Sequence, residues 1–434
     1  MTTLPPDRSE ASFGDYKPAY SNAQALAEAN RCLYCVDAPC VQHCPTGIDI
    51  PEFIRKIGTG NLKGSARTIF AANVFGMSCA RVCPVEVLCA GACVYNEMDT
   101  PAIEIGKLQR YATDAAYAAG WEFFTAGPDT GKSVGIVGGG PAALAAAHAL
   151  RVCGHACTIY DAGGALGGLN TTGVAPYKMR ADQSLVEVEW VLRIGGIEIQ
   201  SGVQVGRDVT WETLQQRHQA LIIAVGLGVD RTLDIPGKQL AGIHGAVDFI
   251  RAFKLGHVEL TSVRSAAVLG GGNTAVDAVR ELRGLGVPEV TMIYRGTEAQ
   301  MSGYVHEWKA AKIEGVRAAF QAQPTSYVGQ DGQVRGVRCA RLGDDRKPTG
   351  EEITVPADVV LLAIGQARLG EFAAALPGVR VEDGRIIVDE EGATGRPGVY
   401  AAGDCANGGK EVVNAVAEGK RAALAIDRTL RERT

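Results

Sequence analysis

The sequence predicts an α/β protein in three parts: an N-terminal all-α domain followed by two Rossmann-like dinucleotide-binding domains, the second inserted into the first. Eight of the twelve cysteines lie between Cys32 and Cys93, in two groups of four. A strand–glycine–helix pattern occurs twice, at Gly138 and at Gly270. Finally, Gly403-Asp404 precedes a last helical pattern, which indicates that the chain returns to the first dinucleotide-binding domain. The 434 residues are enough for two or three domains.

The N-terminal region carries short helical patterns and no alternating strand pattern. Residues 1–20 are rich in proline and polar residues, which indicates an extended arm. Ser21 is a typical N-cap residue for the short helix that follows it. A longer helix is predicted over residues 103–119, because apolar residues recur there at helical spacing. Its apolar stripe consists of Ile105, Leu108, Ala112 and Ala115. Residues 120–132 contain Gly, Pro and Asp and are typical of a linker.

The eight cysteines follow a spacing that predicts metal binding. The first group is Cys32-x2-Cys35-x4-Cys40-x3-Cys44-Pro45, and the second is Cys79-x3-Cys83-Pro84-x5-Cys89-x3-Cys93. Four sulfurs at such spacing can converge on one iron–sulfur cluster or on one zinc ion. A proline after the cysteine is typical of the bacterial ferredoxin run, in which a cysteine of one group ligates the other cluster. We expect two 4Fe-4S clusters with ligands that cross between the groups; two structural zinc ions are the alternative.

The first βαβ unit predicts an FAD site. A strand over Ser133–Val137 leads into Gly138-Gly139-Gly140-Pro141-Ala142-Ala143, then a helix and a second strand that ends at Asp161. The glycines allow a tight turn and a close approach to a pyrophosphate at the helix N-terminus. A carboxylate at Asp161 suits the ribose of FAD, whereas a solvated strand end is the alternative. The residues expected to bind FAD are Gly138, Gly140, Pro141, Ala142, Asp161, Gly168, Leu169, Val205, Ala224, Gly226, Gly403, Asp404 and Val413.

The second βαβ unit predicts a nicotinamide nucleotide site. It has Gly270-Gly271-Gly272-Asn273-Thr274-Ala275 between a strand and a helix, and its next strand ends at Tyr294-Arg295-Gly296. An arginine there can pair with the 2′-phosphate of NADP. A single cation near Glu298 favours NADH slightly, and a solvated Arg295 is the alternative. The residues expected to bind NAD(P) are Gly270, Gly272, Asn273, Thr274, Arg295, Ile364 and Gly365.

Two further apolar runs, 221–226 and 359–365, end in glycine and each would complete a nucleotide-binding sheet. A last helix is predicted over 412–430. The expected domain division follows from these elements. It places the helical iron–sulfur domain at 1–130, the first part of the FAD domain at 131–255, the NAD(P) domain at 256–366 and the second part of the FAD domain at 367–434.

Composition excludes several classes of protein. A net charge of −5 and a pI near 5.9 give no electrostatic reason to expect nucleic acid or a membrane surface as a partner. No apolar run is long enough for a membrane span, and the start lacks the features of a secretory signal. Twelve cysteines without such a signal favour thiolate ligands in a reducing compartment, so we expect the cytoplasm. The nicotinamide region lacks Cys-x-x-Cys, which argues against a disulfide relay, and we expect no catalytic side chain because hydride transfer is flavin-based.

Several motifs together resemble the glutamate-synthase small-subunit family, which includes the flavin-binding half of dihydropyrimidine dehydrogenase. They are the double cysteine group, VGIVGGGPAALAAAHAL, GGALGGLNTTGVAPYKMR, VLGGGNTAVDAVREL and GVYAAGDCANGGKEVVNAVAEGKRAA. The resemblance covers nearly the whole chain, and GGLNTTGVAPYKM is more similar to the pyrimidine branch. In that branch one cluster has three cysteines and a glutamine as ligands. The resemblance therefore implies Cys32, Cys35, Cys40 and Cys93 for one cluster and Cys44, Cys83, Cys89 and Gln109 for the other, with Cys79 as the alternative ligand.

The resemblance also implies an activity and a partner. The chain would be the NAD(P)H-oxidising subunit of a bacterial-type dihydropyrimidine dehydrogenase, with FAD and two 4Fe-4S clusters as cofactors. A separate chain carrying FMN and 4Fe-4S clusters would reduce uracil or thymine to the 5,6-dihydro form, in a heterotetramer. The alternatives are the small subunit of glutamate synthase and an NAD(P)H:ferredoxin oxidoreductase. A non-catalytic assembly scaffold is an alternative of another class.

Overall fold

Within the described residues, the N-terminal part of the chain contains helices and loops but no strand, and it carries eight of the twelve cysteines. The computed structural model describes residues 4–367, 369 and 378–432. Four short 3-10 segments are Ser9–Ser12, Val85–Val87, Val94–Met98 and, further along the chain, Glu298–Gln300. The N-terminal α-helices are α1 (Asn22–Ala29), α2 (Pro39–Gln42), α3 (Ile50–Gly58), α4 (Leu62–Ala72), α5 (Gly76–Val82) and α6 (Ile105–Ala118).

The N-terminal helices begin and pack for identifiable reasons. Ser21 caps α1 as the sequence predicts, because its hydroxyl accepts from Gln24 N at 3.3 Å and the Gln24 side chain accepts from Ser21 N at 2.9 Å. Helix α6 buries Ile105, Leu108 and Ala112 against α3 and α4. Ala115 is only half-buried, and Ala116 is the residue that α6 buries in its last turn.

The first sheet carries the first glycine-rich turn. Its strand order is β15-β4-β1-β2-β3, and all of its pairs are parallel. The strands are β1 (Ser133–Val137), β2 (Ala156–Asp161), β3 (Ile197–Ser201), β4 (Ala220–Ile223) and β15 (Val399–Ala401). The helices of this unit are α7 (Pro141–Val152), α8 (Leu169–Thr172), α9 (Ala181–Leu192), α10 (Trp211–Arg217), α14 (Asp404–Asn407) and α15 (Val412–Glu432). Helices α7 and α15 pack against each other along the sheet.

The second sheet carries the second glycine-rich turn. Its order is β5-β12-β6-β7-β8, again with parallel pairs throughout. The strands are β5 (Ile243–Gly245), β6 (Ser265–Leu269), β7 (Glu289–Tyr294), β8 (Arg317–Phe320) and β12 (Val359–Leu362). The helices are α11 (Ala246–Leu255), α12 (Asn273–Gly284) and α13 (Val305–Ile313). Strand β5 and helix α11 belong to this unit although they precede residue 256, because β5 pairs with β12 and α11 lies in the core around β6 and α12. The second sheet therefore begins earlier than expected.

A third, antiparallel sheet is formed by the part of the chain between β8 and β12. It consists of β9 (Ala322–Gln330), β10 (Gln333–Leu342) and β11 (Pro348–Pro356) in the order β11-β10-β9, with one face packed on the second sheet. No alternating pattern in the sequence predicts it, because register shifts in β10 and the exposure of most of β11 interrupt the alternation. A two-stranded ribbon, β13 (Val381–Glu382) with β14 (Arg385–Ile386), precedes β15.

The two parallel sheets, with an N-terminal helical domain, are the fold class that the sequence predicts. The chain leaves the first sheet after β4, builds the second sheet and returns at β15. The second unit is thus inserted into the first. Within the described residues, the structure contains no helix that is long and apolar enough to cross a membrane.

Candidate functional site

A cleft of about 1340 Å³ runs between the two nucleotide-binding units and reaches the N-terminal domain. Twelve of the thirteen residues expected to bind FAD line it; the thirteenth, Val413, is buried behind its wall. Asn273, Thr274 and Gly365 of the second unit line the same cleft. The remaining residues expected to bind NAD(P) lie outside its lining; they are Gly270, Gly272, Arg295 and Ile364. The structure therefore brings the first glycine-rich turn and the start of the helix after the second turn to one shared cleft.

The first turn is a cradle of bare backbone. Gly138 has φ +107° and lies so close to β4 that a Cβ atom would be 2.3 Å from Ala224 O. A side chain is therefore excluded at this position. Gly140 immediately precedes α7, and a Cβ there would meet nothing closer than Gly168 Cα at 3.9 Å. The helix N-terminus is thus open to a phosphate, whose charge the helix dipole and the free N–H groups favour. This arrangement fits the pyrophosphate of FAD.

Acidic side chains lie at two edges of this cradle. Asp161 ends β2, accepts from Gly163 N at 2.8 Å and has a raised pKa because burial disfavours its charged form. Asp404 follows Gly403, whose φ is +77°, and burial likewise raises the pKa of Asp404. Both carboxylates line the cleft and are available to hydroxyl donors, as the ribose and the ribityl chain of FAD would supply.

The second turn repeats the geometry of the first. Gly270 has φ +141°, and a Cβ atom there would be 2.3 Å from Ala363 O. Helix α12 follows directly at Asn273, whose side-chain oxygen accepts from Tyr304 N at 2.9 Å. Arg295 is exposed just beyond the end of β7. Lys312, the other cation near this end, is held by Glu298 at 2.5 Å.

A buried group of charges joins the two units inside the cleft. Lys178 of the first unit is 2.9 Å from Asp277 and 2.7 Å from Glu307 of the second. Burial alone would lower the pKa of Lys178, but these two carboxylates more than offset it, so that its pKa is raised. Tyr304 also donates to Glu411 at 2.6 Å across the same gap. Lys178, Asp277 and Glu307 lie far apart in the chain, so no spacing pattern in the sequence indicates this group.

Four cysteines from both sequence groups surround one small apolar cavity of about 30 Å³. Ile50, Ile54 and Ile105 form part of its wall. Burial, together with the neighbouring thiols Cys32 and Cys93, raises the pKa of the Cys40 thiol to about 12. The four are Cys32, Cys35, Cys40 and Cys93. Three thiols of the first sequence group and one of the second thus converge, a donor set that suits an iron–sulfur cluster.

The other four cysteines form the second set. The pKa of the Cys83 thiol is raised, first by a hydrogen bond with Cys79, then by burial and by the proximity of Cys89 and Cys44. Gln109 is buried on α6, and its amide nitrogen donates to Gly76 O at 2.7 Å, at the start of the helix that carries Cys79. The structure therefore places Cys79 in contact with Cys83 and Gln109 beside the same helix.

The cysteine sets are unlike single-metal sites. Over residues 4–367, 369 and 378–432, no three Cys, His, Asp or Glu side chains meet closely enough to hold one metal ion. A structural zinc needs four ligands at about 2.0–2.3 Å from a single ion. A cubane cluster presents a different iron atom to each ligand, so its ligands stand further apart.

The second cysteine set lies nearer to the nucleotide cleft than the first. Val82 and Pro84, which flank Cys83, line the cleft. Cys79 and Cys83 belong to the core that also contains α7 and β1, whereas Cys32, Cys40 and Cys93 pack against the separate core of the N-terminal helices. The spatial order is therefore cleft, second set, first set.

Comparison with known proteins agrees with this arrangement. Residues 9–121 match the family model described as dihydropyrimidine dehydrogenase domain II, 4Fe-4S cluster. Residues 132–419 match the pyridine nucleotide-disulphide oxidoreductase family. The NAD-dependent dihydropyrimidine dehydrogenase subunit PreT of Escherichia coli (strain K12) is 35% identical over 94% of this chain and 95% of its own length. The glutamate synthase (NADPH) small chain of Azospirillum brasilense is 33% identical over 95% and 91%.

Solved structures share the fold of the two nucleotide-binding units. FprA from Mycobacterium tuberculosis in complex with NADPH matches with a TM-score of 0.56 and 23% identity, over 69% of this chain and 85% of that chain. Thioredoxin reductase from T. acidophilum matches with the same TM-score and identity, over 69% and 99%. At this identity the likeness concerns the fold alone.

Proposed function

This chain belongs to the pyridine nucleotide-disulphide oxidoreductase family, with FAD, 4Fe-4S clusters and NAD(P)H as its cofactors and substrate, and from that premise we propose that it is the electron-input subunit of a dihydropyrimidine dehydrogenase. It would oxidise NAD(P)H and deliver the electrons to a separate chain that carries FMN and reduces uracil or thymine. The observation that carries the proposal is the single cleft, which contains the first glycine-rich turn and the start of α12 after the second, and which reaches the residues beside Cys83.

Each part of the chain has a definite task in this proposal. Bound FAD supplies the chemistry that accepts a hydride from NAD(P)H and passes electrons on singly. The two glycine turns bind the two pyrophosphates on bare backbone, which sets the position of both nucleotides. The Lys178 ion pairs with Asp277 and Glu307 hold the second unit against the first, because all three side chains are buried at the junction.

We propose the ligand sets that the family resemblance implies. The first cluster would use Cys32, Cys35, Cys40 and Cys93, which already share a cavity. The second would use Cys44, Cys83, Cys89 and Gln109. The hydrogen bond from the Gln109 amide nitrogen to Gly76 O supports this role, because it occupies the donor side and leaves the oxygen for another partner. The contact between Cys79 and Cys83 supports the alternative, in which Cys79 is the fourth ligand.

The surface beside the first cysteine set is where we propose that electrons leave the chain. Leu33 and Val36 flank Cys32 and Cys35 and are 51% and 98% exposed, and Met98 nearby is 58% exposed. Exposed apolar side chains of this size are typical of protein interfaces. The first set is also the one further from the cleft. A partner chain bound at this surface would receive electrons directly from the first cluster, which is the shortest route out of this chain.

We also propose NADH as the nucleotide and a division of the chain at the sheets. Arg295 is the one cation just after β7, and a single exposed arginine is a weak site for a 2′-phosphate. The helical domain would span residues 1–130, and the second part of the FAD domain would span residues 367–434, as expected. The nicotinamide domain would begin before β5 instead of at residue 256.

Co-expression with a candidate FMN-containing chain tests the proposal. The expected result is a complex in which uracil accelerates anaerobic NADH oxidation, with NADH used faster than NADPH. A complex with a large amidotransferase chain that forms glutamate from glutamine and 2-oxoglutarate would support the alternative, glutamate synthase, whose small chain is 33% identical. If neither NADH nor NADPH bleaches the flavin of the purified chain, the scaffold alternative replaces both.

A further inference from the structure

The two nucleotide-binding units are joined in a way that permits bending. The chain crosses between them after β4 and again after β12, and the two crossings run side by side. Arg231 N donates to Gly365 O at 2.9 Å and Gly228 N donates to Ala367 O at 3.0 Å. Gly226 and Gly365 have φ of +70° and +97°, respectively. Domains joined by a narrow connection rotate relative to each other unless other contacts prevent it.

One segment, residues 8–17, contacts all three parts of the molecule; we name it the N-terminal strap. On the second unit, Ser9 Oγ accepts from Val258 N at 2.9 Å. The Phe13 ring stacks on Phe253 of α11 with the centroids 6.1 Å apart. The same ring lies over the end of α12, where Gly284 leaves room for it. The strap thus covers the two helices on one side of the second sheet.

The strap also binds the first unit. Glu10 is fully buried, and its carboxylate accepts from Ala181 N at 3.0 Å, at the start of α9. Tyr16 N donates to Tyr177 O at 2.9 Å. The Arg280 guanidinium of the second unit lies 4.9 Å from the centre of the Tyr16 ring and 4.1 Å from that of Tyr177. Through these cation–π contacts, Arg280 of the second unit binds both Tyr16 of the strap and Tyr177 of the first unit.

The far end of the strap is fixed on the cysteine-containing domain. Asp15 accepts two hydrogen bonds from Arg110 of α6, at 2.9 and 2.6 Å. Lys17 donates to Cys83 O at 3.3 Å. A bidentate pair to a buried arginine is a strong anchor. The strap is therefore held at both ends while its middle spans the junction of the two units.

We propose that the N-terminal strap fixes the orientation of the second unit on the first and so sets the approach of the two nucleotides in the shared cleft. Phe13 is a positioning residue, since it touches neither glycine turn and acts through α11 and α12. This inference goes beyond the proposed function, because it concerns the geometry of the cleft and holds whichever partner receives the electrons.

Phe13→Ala in the full chain with its cofactors tests the proposal. The expected result is at least about tenfold faster hydrogen exchange at the amides of Val258 and Ala181, one from each unit, which corresponds to about 1.4 kcal/mol of lost contact. The limiting rate of flavin reduction at saturating NADH falls by a similar factor, while reduction by dithionite is unchanged. Ser12→Ala is the matched control, because its hydroxyl bonds within the strap to Ser9 O.

A second variant approaches the same contact from the other side. A Cβ atom at Gly284 would be 2.3 Å from Phe13 Cε1, so Gly284→Ala must displace the ring. Alanine is otherwise preferred over glycine in a helix. Gly284→Ala should therefore speed hydrogen exchange at the amides of Val258 and Ala181, as Phe13→Ala does. The double variant should exchange no faster than Phe13→Ala alone.

Two outcomes would overturn the proposal. One is wild-type exchange and wild-type flavin reduction in both single variants. The other is a double variant whose effects are the product of the single effects, which would mean that the two residues act independently. Neither readout depends on uracil, on a partner chain or on the identity of the electron acceptor, and hydrogen exchange does not require flavin reduction either, so failure of the proposed function leaves this test intact.

Discussion

Gln109 and Cys79 show how one residue decides the character of a cluster. The two side chains approach the second cysteine set from α6 and α5, and each is buried. A neutral oxygen ligand in place of a thiolate changes the net charge of the cluster and hence its reduction potential. The identity of the fourth ligand therefore matters for electron transfer and not only for assembly.

The first prediction separates these two candidates. Gln109→Ala should alter or abolish the electron paramagnetic resonance signal of one reduced cluster and leave the other intact, because in the proposed ligand sets it removes a ligand from the second cluster alone. Cys79→Ala, at a comparably buried position, is the matched control and should leave both signals and the iron content unchanged. The reverse pattern would assign the ligand role to Cys79.

Glu187 is a buried carboxyl that links α9 to the cysteine-bearing helix α5. It accepts from Met77 N at 2.9 Å and from Ser78 N at 3.1 Å, and it hydrogen-bonds the Ser78 hydroxyl. Its side chain is fully buried, and this burial raises its pKa from 4.5 to about 7 despite those hydrogen bonds. The neutral form is therefore favoured in the folded protein.

The second prediction concerns pH. Because the folded-state pKa exceeds the unfolded one, protonated Glu187 stabilises the fold fully below about pH 4.5, and this contribution is lost as the pH rises to about 7. Within that window the free energy of unfolding should fall by up to about 1.4 kcal/mol per pH unit. Glu187→Gln should flatten this slope in denaturant titrations between pH 5.5 and 7.5, whereas Glu189→Gln on the same helix should not. An unchanged slope in Glu187→Gln would show that other groups cause it.

Helices α7 and α15 make an extensive contact with each other. A Cβ atom at Gly419 of α15 would lie 2.1 Å from Ala142 O, at the start of α7. The two helices are therefore in backbone contact where the first glycine turn presents its free N–H groups. The close approach explains why a glycine occupies the interior of a long helix, where it is otherwise unfavourable.

The third prediction tests that contact. Gly419→Ala should lower the free energy of unfolding by about 1–3 kcal/mol, the usual cost of overpacking, although alanine favours a helix. It should also weaken FAD retention, because the N-terminus of α7 must shift. Thermal melts and the flavin-to-protein absorbance ratio measure both effects. Gly14→Ala is the same chemical change with no atom within 4 Å, and it should leave both unchanged; an equal loss in the two variants would contradict the packing explanation.

The elements most easily predicted are those with strong local signals. The bounds of β1 and β7 agree with the pattern, because short apolar runs next to glycine turns leave little freedom. Strands β9 to β11 were not predicted, since only one face is covered and register shifts break the alternation. Strand β5 has three residues and is stabilised by its pairing with β12, which is distant in the sequence.

Part of the N-terminal domain shares a hydrophobic core with the first nucleotide-binding unit. Phe70 of α4 packs on Trp190 of α9 with ring centroids 4.5 Å apart, and Cys79 and Cys83 lie in the same core. The second unit has cores of its own around α11, α12 and the antiparallel sheet. Loss of a cluster should therefore destabilise the first unit more than the second.

The fourth prediction follows from the shared core. Cys83→Ala should lower bound iron by about one cluster and lower the unfolding temperature of the N-terminal domain and first unit together, by roughly 5 °C for a loss of about 3 kcal/mol. Calorimetry with iron analysis is the measurement. Cys339 is also buried but lies in β10, so Cys339→Ala is the matched control. This variant should bind as much iron as the wild-type protein. Separate transitions for the N-terminal domain and first unit would contradict the coupling.

The sequence alone determined the fold class, the two glycine turns and the two groups of cysteines, because each depends on residues close together in the chain. A glycine turn needs a strand before it and a helix after it, and both signals are local. The resemblance to a known family, which supplied the cofactors and the branch, likewise came from motifs that can be read in order along the chain.

Only the tertiary structure decided which distant residues meet. It placed the first glycine turn and the start of α12 on one cleft, joined Lys178 to Asp277 and Glu307, and put the second cysteine set next to that cleft. It also revealed that residues 8–17 contact three separate parts of the molecule. Such contacts arise when elements that are distant in the sequence pack together. A local sequence pattern does not indicate which elements will do so.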